Sequence, residues 1–425
     1  MNVEDVILTV TLMLGAGLLA RLVADLLRLP HMLLLLAAGI LLGPSVSGAI
    51  DVPLGSMGAQ LILTLGVSFI LFHGGLQLSL AVLGRVVVGL VLLAVPGVVL
   101  TAAVTGAVAA AAFGVPLATG ILVGAALAPT DPAILVPLFE RLRLRPKVSQ
   151  TIIAESALND PTGAVLALAF AGVVVSGKAS LTAPMLQFLV DLALSTGIGV
   201  VFGIVLSAAV SSRRAGIWRE SAAIAVIAVV AGSFFSIDSA GGSGYLGAFL
   251  AGLIVANMDR LGLAMHSHHE REVRTLVALI ADVMVLLVFI TLGANLPWRS
   301  IEQHYAPALA VLAVLVLLAR PLTVLACLLP DRRGAWSRGE LVFMAWTRET
   351  GVVPAAVAGL VVSMGVPGAD LVVTTVALAI VVTLALQTTT KPWLARRLHL
   401  APPLAPVALE TEQAATGGAS GRGAR

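Results

Sequence analysis

Between Val148 and Val175 the chain stays apolar for long enough to cross a bilayer, yet it carries Glu155, Ser156, Asn159 and Asp160 in the middle. At about 1.5 Å of rise per residue, Asp160 falls roughly 16–18 Å into a hydrocarbon core about 30 Å thick. A charged side chain at that depth costs on the order of several kcal/mol unless it faces protein or a water-filled cavity. The segment must therefore lie inside a bundle of other spans. Helical spacing stacks Glu155 on Asn159 and Ser156 on Asp160, each pair four residues apart. Pro161 has no N–H and releases the carbonyl of Ala157 from its helical partner. Carboxylate, hydroxyl and amide oxygens thus converge on one buried spot, a ligand set for a hard monovalent cation or a proton.

The rest of the chain supplies such a bundle. Hydrophobic residues make up 59% of it and charged residues 11%, with a mean hydropathy of +1.05, which is the composition of an all-α polytopic membrane protein. The apolar stretches are continuous and do not alternate, which excludes a β-barrel. One cysteine, Cys327, forbids an intrachain disulfide. The N-terminus lacks the basic region of a signal peptide, so the first span is expected to be retained.

About thirteen spans are expected, near 6–28, 32–42, 58–80, 86–112, 117–141, 148–175, 185–210, 219–236, 244–257, 272–294, 304–328, 339–363 and 369–395. With the N-terminus outside, the inner segments carry Arg21, Arg28, Arg85, Arg141, Arg143, Arg145, Lys147, Arg213, Arg214, Arg219, Arg260, Arg271, Arg274, Arg332, Arg333, Arg338, Lys391, Arg396 and Arg397. The outer loops carry only Lys178 and Arg299, so the positive-inside rule places the C-terminus in the cytoplasm of a plasma or inner membrane. Trp218, Trp298, Trp336 and Trp393 stand at predicted span ends, as interface anchors do. Residues 399–425 turn to Pro, Ala, Gly and Thr and read as a short disordered tail after a membrane domain covering 1–398.

Two spans look interrupted. The fifth contains Ala128-Pro129-Thr130-Asp131-Pro132 and the twelfth Arg348-Glu349-Thr350-Gly351-Val352-Val353-Pro354. They lie seven spans apart, and an odd offset reverses their direction. Two inverted six-helix repeats, about 1–176 and 217–398 with the seventh span between them, would produce that arrangement, with the discontinuous helices crossing at the midplane. At such a crossing Asp131 can cap the second half-helix, with Pro132 at its first position, and offset the positive helix ends. Arg348 can offset the negative ends.

These residues resemble a family, the monovalent cation/proton antiporters, and within it the NhaP-like sodium/proton exchangers. The likeness rests on Pro129-Thr130-Asp131-Pro132, on Glu155-Ser156 followed by Asn159-Asp160-Pro161, on Gly242-Ser243-Gly244 through Gly252, on Phe289 to Gly293 and on Arg320-Pro321. It implies the crossed-helix fold of NhaA and NhaP and alternating-access exchange of Na+ or Li+, or K+, for H+. It makes Asp160 the carboxylate that takes either cation or proton. Thr130, Ser156 and Glu155 become the surrounding ligands, with Asp160, Ser156 and Thr130 as the monovalent-cation set. Asn159 stands where electrogenic relatives carry a second aspartate, which implies electroneutral exchange. Asp131, Arg348 and Glu155 become the structural charges of the crossing. A homodimer with core and dimerisation helices, a lipid surround, no cofactor, no enzymatic activity and no nucleic-acid partner follow from the same likeness. In many relatives the twelfth span reads Arg-Gly, whereas here Thr350 precedes Gly351 and the arginine lies two residues earlier. His73 stands where an acid is common.

Other classes fit less well. A metal-dependent membrane enzyme would need more than His266, His268 and His269 on a predicted cytoplasmic loop. A serine hydrolase would need a histidine near Ser243 to activate it. Arg320 reads as a structural intramembrane charge. A lone cation at midplane depth is costly unless paired, and the candidate partners of Arg348 are Glu155 on the neighbouring core helix and Glu349 beside it in sequence. The remaining alternative among transporters is a sodium-coupled solute symporter on a similar inverted-repeat fold, although the chain is only 4% aromatic.

Overall fold

The computed structural model describes residues 3–27, 29, 31–177, 182–212 and 216–401. The predicted tail lies outside these residues apart from its first three. Nine helices among the described residues are long and apolar enough to cross a membrane. In chain order they are α1 (Val3–Leu27), α3 (Met57–Leu76), α4 with α5 (Leu80–Ala94, Pro96–Phe113), α8 (Pro146–Ser176), α9 (Thr182–Val210), α10 (Ala222–Ser239), α12 (Ser267–Ala294), α13 with α14 (Trp298–Val314, Arg320–Leu328) and α17 (Ala369–Arg397). The other four predicted spans are of two kinds. Two are short helices, α2 (His31–Leu42) and α11 (Gly244–Ala256). The remaining two are broken: α6 (Leu117–Leu127) is followed by α7 (Pro132–Leu142), and α15 (Arg338–Trp346) by α16 (Val352–Ser363). The expected span count and both expected interruptions are therefore present.

Packing divides the helices into two groups. α2 and α3 pack on α12, α3 also packs on α11, and α9 and α10 close over α11. Against this, α5 packs on α6, α6 and α4 on α8, and α13 and α16 on α17, which form the bundle containing both broken spans. Close approach within each group depends on missing side chains, as is usual where apolar lipid gives helices no hydrophobic reason to associate. Gly199 of α9 lies against the backbone of Gly247, and Gly203 against Ala251, both in α11. Ser243 caps α11 by accepting from the Leu246 N–H at 3.3 Å, so the Gly-Ser-Gly stretch is a helix start.

Two local features shape the second bundle. α8 runs unbroken through Pro161. Between α13 and α14, Leu315–Ala319 widens into a π-helical turn just before Arg320-Pro321. Pro321 has no N–H, and its ring would collide with the carbonyl four residues back in a regular helix. The wide turn relieves that conflict and leaves Arg320 buried, 3% exposed.

The α6–α7 loop lies on α8 only because position 163 has no side chain: a Cβ on Gly163 would fall on the Pro129 ring. Gly163→Leu should therefore lower stability by about 1–3 kcal/mol despite leucine's better helix propensity. Thermal unfolding in detergent checks this, and an unchanged or raised midpoint would show that the loop does not rest on α8.

Candidate functional site

The site is built where the two broken spans cross in front of α8. A half-helix that ends inside a membrane leaves its last carbonyls or first N–H groups without partners, and no water is there to take them. Arg348 answers this at the end of α6. Its guanidinium donates to the carbonyls of Leu127, of Ala128 at 2.6 Å and of Pro129 at 3.0 Å. Arg320 does the same at the end of α15, donating through Nε to the Met344 carbonyl at 3.1 Å. At the start of α16 the Asp131 carboxylate accepts the Val352 N–H at 2.9 Å. The chains also touch directly, Asp131 N–H donating to the Glu349 carbonyl at 3.2 Å. Gly351 permits this, since a Cβ there would overlap the Asp131 carboxylate.

Beside the crossing lies the oxygen cluster. Ser156 Oγ donates to the Thr130 carbonyl at 2.8 Å and receives the Thr130 hydroxyl at 3.0 Å. Asn159 binds the same residue twice, accepting its N–H at 3.1 Å and donating to its Oγ1 at 2.8 Å. Thr130, Ser156, Asn159, Asp131 and Asp160 are all buried. The structure thus brings Thr130, Ser156 and Asn159 into one hydrogen-bonded group, with Asp160 next in sequence. Both Asp160 oxygens are buried and find no hydrogen-bond partner among the described residues. The charges acting on it come from Asp131 and Arg348. A buried carboxylate with neither hydrogen bond nor ion pair demands a proton or a cation.

The family profile for the transmembrane sodium/hydrogen exchanger matches residues 10–397. The chain belongs to the sodium/hydrogen exchanger family. It is 27% identical over 360 residues to the probable Na(+)/H(+) antiporter 2 of Methanocaldococcus jannaschii, covering 82% of each chain. It is 28% identical over 375 residues to the K(+)/H(+) antiporter NhaP2 of Shewanella sp. strain ANA-3, covering 87% of this chain and 63% of that one. The solved structure of the sodium proton antiporter MjNhaP1 from M. jannaschii at pH 8 superposes with a TM-score of 0.70 at 26% identity. It covers 93% of this chain and 99% of that one. The crossed, discontinuous helices are accordingly the antiporter fold of this exchanger family.

Three expectations about individual charges need correction. Glu155 does not pair with Arg348. Both its oxygens are held by Arg320, at 2.5 and 2.9 Å, in a buried bidentate pair. Guanidinium and carboxylate match as two parallel hydrogen bonds, and the π turn before Arg320 places the fork on α8. Both Glu155 oxygens are thus taken up by Arg320, and no hydrogen bond among the described residues joins its carboxylate to the Thr130–Ser156–Asn159 cluster. Arg348, for its part, is used by the α6 carbonyls rather than by an acid. The two-residue shift of the arginine is absorbed because Thr347–Gly351 is not helical, so no helical face constrains its side chain.

Lys391 is the third. Counted as an inner-surface residue, it is instead fully buried and its ammonium rests on Glu349. It belongs to a row on α17 spaced by four residues. Thr383 accepts the Thr350 N–H at 3.1 Å, Gln387 the Arg348 N–H at 2.5 Å, and Lys391 holds the Glu349 carboxylate. The four-residue spacing of 383, 387 and 391 is in the sequence, but Thr374, Thr375 and the polar run Thr388-Thr389-Thr390 on the same span obscure it. Outside the crossing, His268, His269 and Glu272 bring their ligand atoms within 4.8 Å of one another. They stand at the start of α12, where His268 and Glu272 are exposed and each histidine has a neighbouring carboxylate.

Removing one partner of the Arg320–Glu155 pair strands a buried charge. Arg320→Ala and Glu155→Ala should each lower stability by about 3–5 kcal/mol, and the double variant by clearly less than their sum. A double-mutant cycle by thermal or denaturant unfolding measures this. The same cycle between positions 155 and 348 should give coupling near zero, and strong coupling there would contradict the pairing described.

Proposed function

We propose that this chain exchanges one monovalent cation, Na+ or Li+ and by extension K+, for one H+ by alternating access, with Asp160 as the group that holds either. The observation that carries this is the buried Asp160 carboxylate, which has no hydrogen-bond partner among the described residues and adjoins the Thr130–Ser156–Asn159 cluster. Thr130 and Ser156 supply the neutral oxygens of the cation set. Asn159 fixes the Thr130 backbone and brings no second charge. Asp131 and Arg348 hold the crossing open at fixed geometry.

Charge balance supports the one-for-one ratio. Among the described residues, the buried acids around the crossing are Asp131, Glu155, Asp160 and Glu349, and the buried bases are Arg320, Arg348 and Lys391. Asp331 and Glu340, also buried, lie at span ends with their own partners. Four carboxylates face three cations, so one positive charge makes the core neutral. A proton on Asp160 does this, and so does one bound monovalent cation. Both loaded forms can then reorient in a low-dielectric medium, whereas the form with neither carries a net charge and is held back. Obligatory exchange follows from that difference alone.

Alternating access has its two openings between the helix groups. A cavity of about 350 Å³ is lined by Gln60 and Thr64 of α3, Tyr245 of α11, and Ala355 and Gly359 of α16. A second, about 50 Å³, is lined by His73 of α3, Glu140 of α7 and Asp282 of α12. The larger lies on the side the lysine and arginine count assigns to the outside. On the smaller side His73 and Gln77 both reach Glu140, at 3.2 and 2.5 Å, and tie the groups together. The reading includes a transport domain of two inverted repeats over 1–398, a plasma- or inner-membrane location with the N-terminus outside, and a homodimer. Only 17% of the most apolar stretch of α1 is buried, which leaves its apolar face to lipid or to a second copy. The oxygen cluster is cation-sized and has no aromatic member, which disfavours solute symport.

In proteoliposomes an imposed gradient of Na+, Li+ or K+ should drive proton efflux at a rate that does not change with membrane potential. Asp160→Asn should reduce that efflux to the protein-free level while the thermal unfolding transition remains. Substantial exchange by the variant removes Asp160 from the carrier role, and voltage-dependent exchange by the wild type removes the one-for-one ratio.

A further inference from the structure

We propose that His268, His269 and Glu272, in the first two turns of α12, form a binding site for a divalent metal ion of the zinc class, with Glu220 orienting one of the ligands. The site lies outside the transport bundle and does not depend on the role given to Asp160. Sequence places these histidines on a loop, but α12 begins at Ser267, and the helix is what assembles the set. Glu272 stands four residues after His268 and three after His269, so all three share one patch of the helix surface. One ligand atom from each lies within 4.8 Å of the other two. His268 Nδ1 is already 3.5 Å from the Glu272 carboxylate. A tetrahedral zinc ion, with bonds of about 2.0–2.1 Å, holds its donors roughly 3.3 Å apart. Small side-chain rotations therefore close the set.

His269 is held as a metal ligand is held. Its side chain is only 19% exposed, and its Nε2 faces the Glu220 carboxylate at 4.0 Å. Nδ1 is buried and has no hydrogen-bond partner among the described residues. With the ring proton on Nε2, toward Glu220, Nδ1 keeps a lone pair. Metal-ligating histidines are oriented in this way, by a carboxylate on the nitrogen that does not bind. Glu272 is equally uncommitted. Among the described residues no guanidinium binds it, although two lie near in sequence. Arg274 donates to Glu270 at 2.9 Å and to the Leu76 carbonyl at 3.0 Å, and Arg271 returns to the Ser267 carbonyl at 3.2 Å.

The surrounding corner is anchored. The Ser212 N–H donates to the Ala264 carbonyl at 2.6 Å, and the Arg219 guanidinium donates to the Ser211 and Ser212 carbonyls at 3.3 Å. Glu220, the next residue, is thereby kept beside the start of α12. The rings of His268 and His269 meet edge to face with centroids 5.7 Å apart, and those of His266 and His269 lie 6.4 Å apart. Two imidazoles on one tetrahedral ion have centroids roughly 5 Å apart, so His266 is the nearest group for a fourth position.

The donors select the ion. Imidazole nitrogens with one carboxylate suit Zn2+, Ni2+ or Cu2+, whereas Mg2+ and Ca2+ prefer oxygen alone. Thr130, Ser156 and Asp160 offer only oxygen, so the two places in the chain differ in the ions they favour. A bound ion would join the start of α12, through His269, to Glu220 ahead of α10. Binding to the folded chain alone raises its stability.

Isothermal titration of Zn2+ into the whole chain in detergent, stripped of metal and carrying no histidine tag, tests this. About one ion should bind per chain, and the thermal unfolding midpoint should rise with it. Mg2+ and Ca2+ should give neither effect. Glu220→Gln should weaken zinc binding about tenfold, and His268→Ala, His269→Ala or Glu272→Gln should weaken it further. No zinc binding overturns the site, and so does binding that is unchanged when His268→Ala and His269→Ala are combined, because the ion then sits elsewhere. An unchanged affinity in Glu220→Gln removes the orienting role. If the histidine variants do not fold, X-ray absorption of the zinc-loaded wild type decides. A shell containing at least two imidazoles supports the site, and a shell of oxygen alone overturns it.

Discussion

Everything in the transport bundle depends on how interrupted helices are completed where no water can reach them. Helix α6 ends and α16 begins inside the membrane, and α15 ends beside them. Carbonyls at those ends are partly negative and N–H groups partly positive, with nothing in lipid to offset them. The chain meets each end with a charge from another element. Arg348 of the second broken span serves α6 of the first, Asp131 of the first serves α16 of the second, and Arg320 of α14 serves α15. The exchange is reciprocal, so neither broken span could adopt its shape without the other. The helix ends are completed in this way while one carboxylate beside them is left bare.

The Asp160 carboxylate is left bare by contrast with its neighbours. Glu155, one turn earlier on the same helix, is bound twice by Arg320, and Glu349 is bound by Lys391. Asp131 is used by the α16 backbone. Each of these acids has its charge committed to structure. Asp160 alone among the four has neither oxygen bound among the described residues. On the proposed reading the site works by subtraction: three acids are engaged by other groups of the fold, and the fourth is left for what is transported. The Thr130–Ser156–Asn159 group adds uncharged oxygens without altering that count.

The partners of the charges were less legible than the charges themselves. Sequence identified Glu155, Asp160, Arg320 and Arg348 as intramembrane charges, because each sits in a run too apolar to tolerate it by accident. It offered Glu155, with Glu349 as the alternative, as partner of Arg348, since these stand near midplane depth, whereas the fold pairs Glu155 with Arg320. Depth is a one-dimensional measure, and pairing depends on which helices are neighbours. Lys391 shows the same limit from the other side. Near the end of the last span, a lysine is ordinarily a surface charge that reaches the headgroups. Here α17 turns the face of Thr383, Gln387 and Lys391 toward the unwound strand, and that face was visible as a four-residue period once its partner was known.

What the sequence determined by itself was everything that follows from solvent and covalent chemistry along one chain. Apolar run lengths set the spans, and proline and glycine placed both interruptions, while the lysine and arginine count and the intramembrane acids supply the proposed orientation and the proposed site. These are local properties, because the cost of a charge or a broken hydrogen bond in lipid is incurred by the segment that carries it. Only the tertiary structure decided which cation answers which anion, and so which carboxylate remains free. That choice belongs to contacts between residues 165 and 42 positions apart, Glu155 with Arg320 and Glu349 with Lys391. Coulomb attraction falls off with distance in space and is indifferent to separation along the chain.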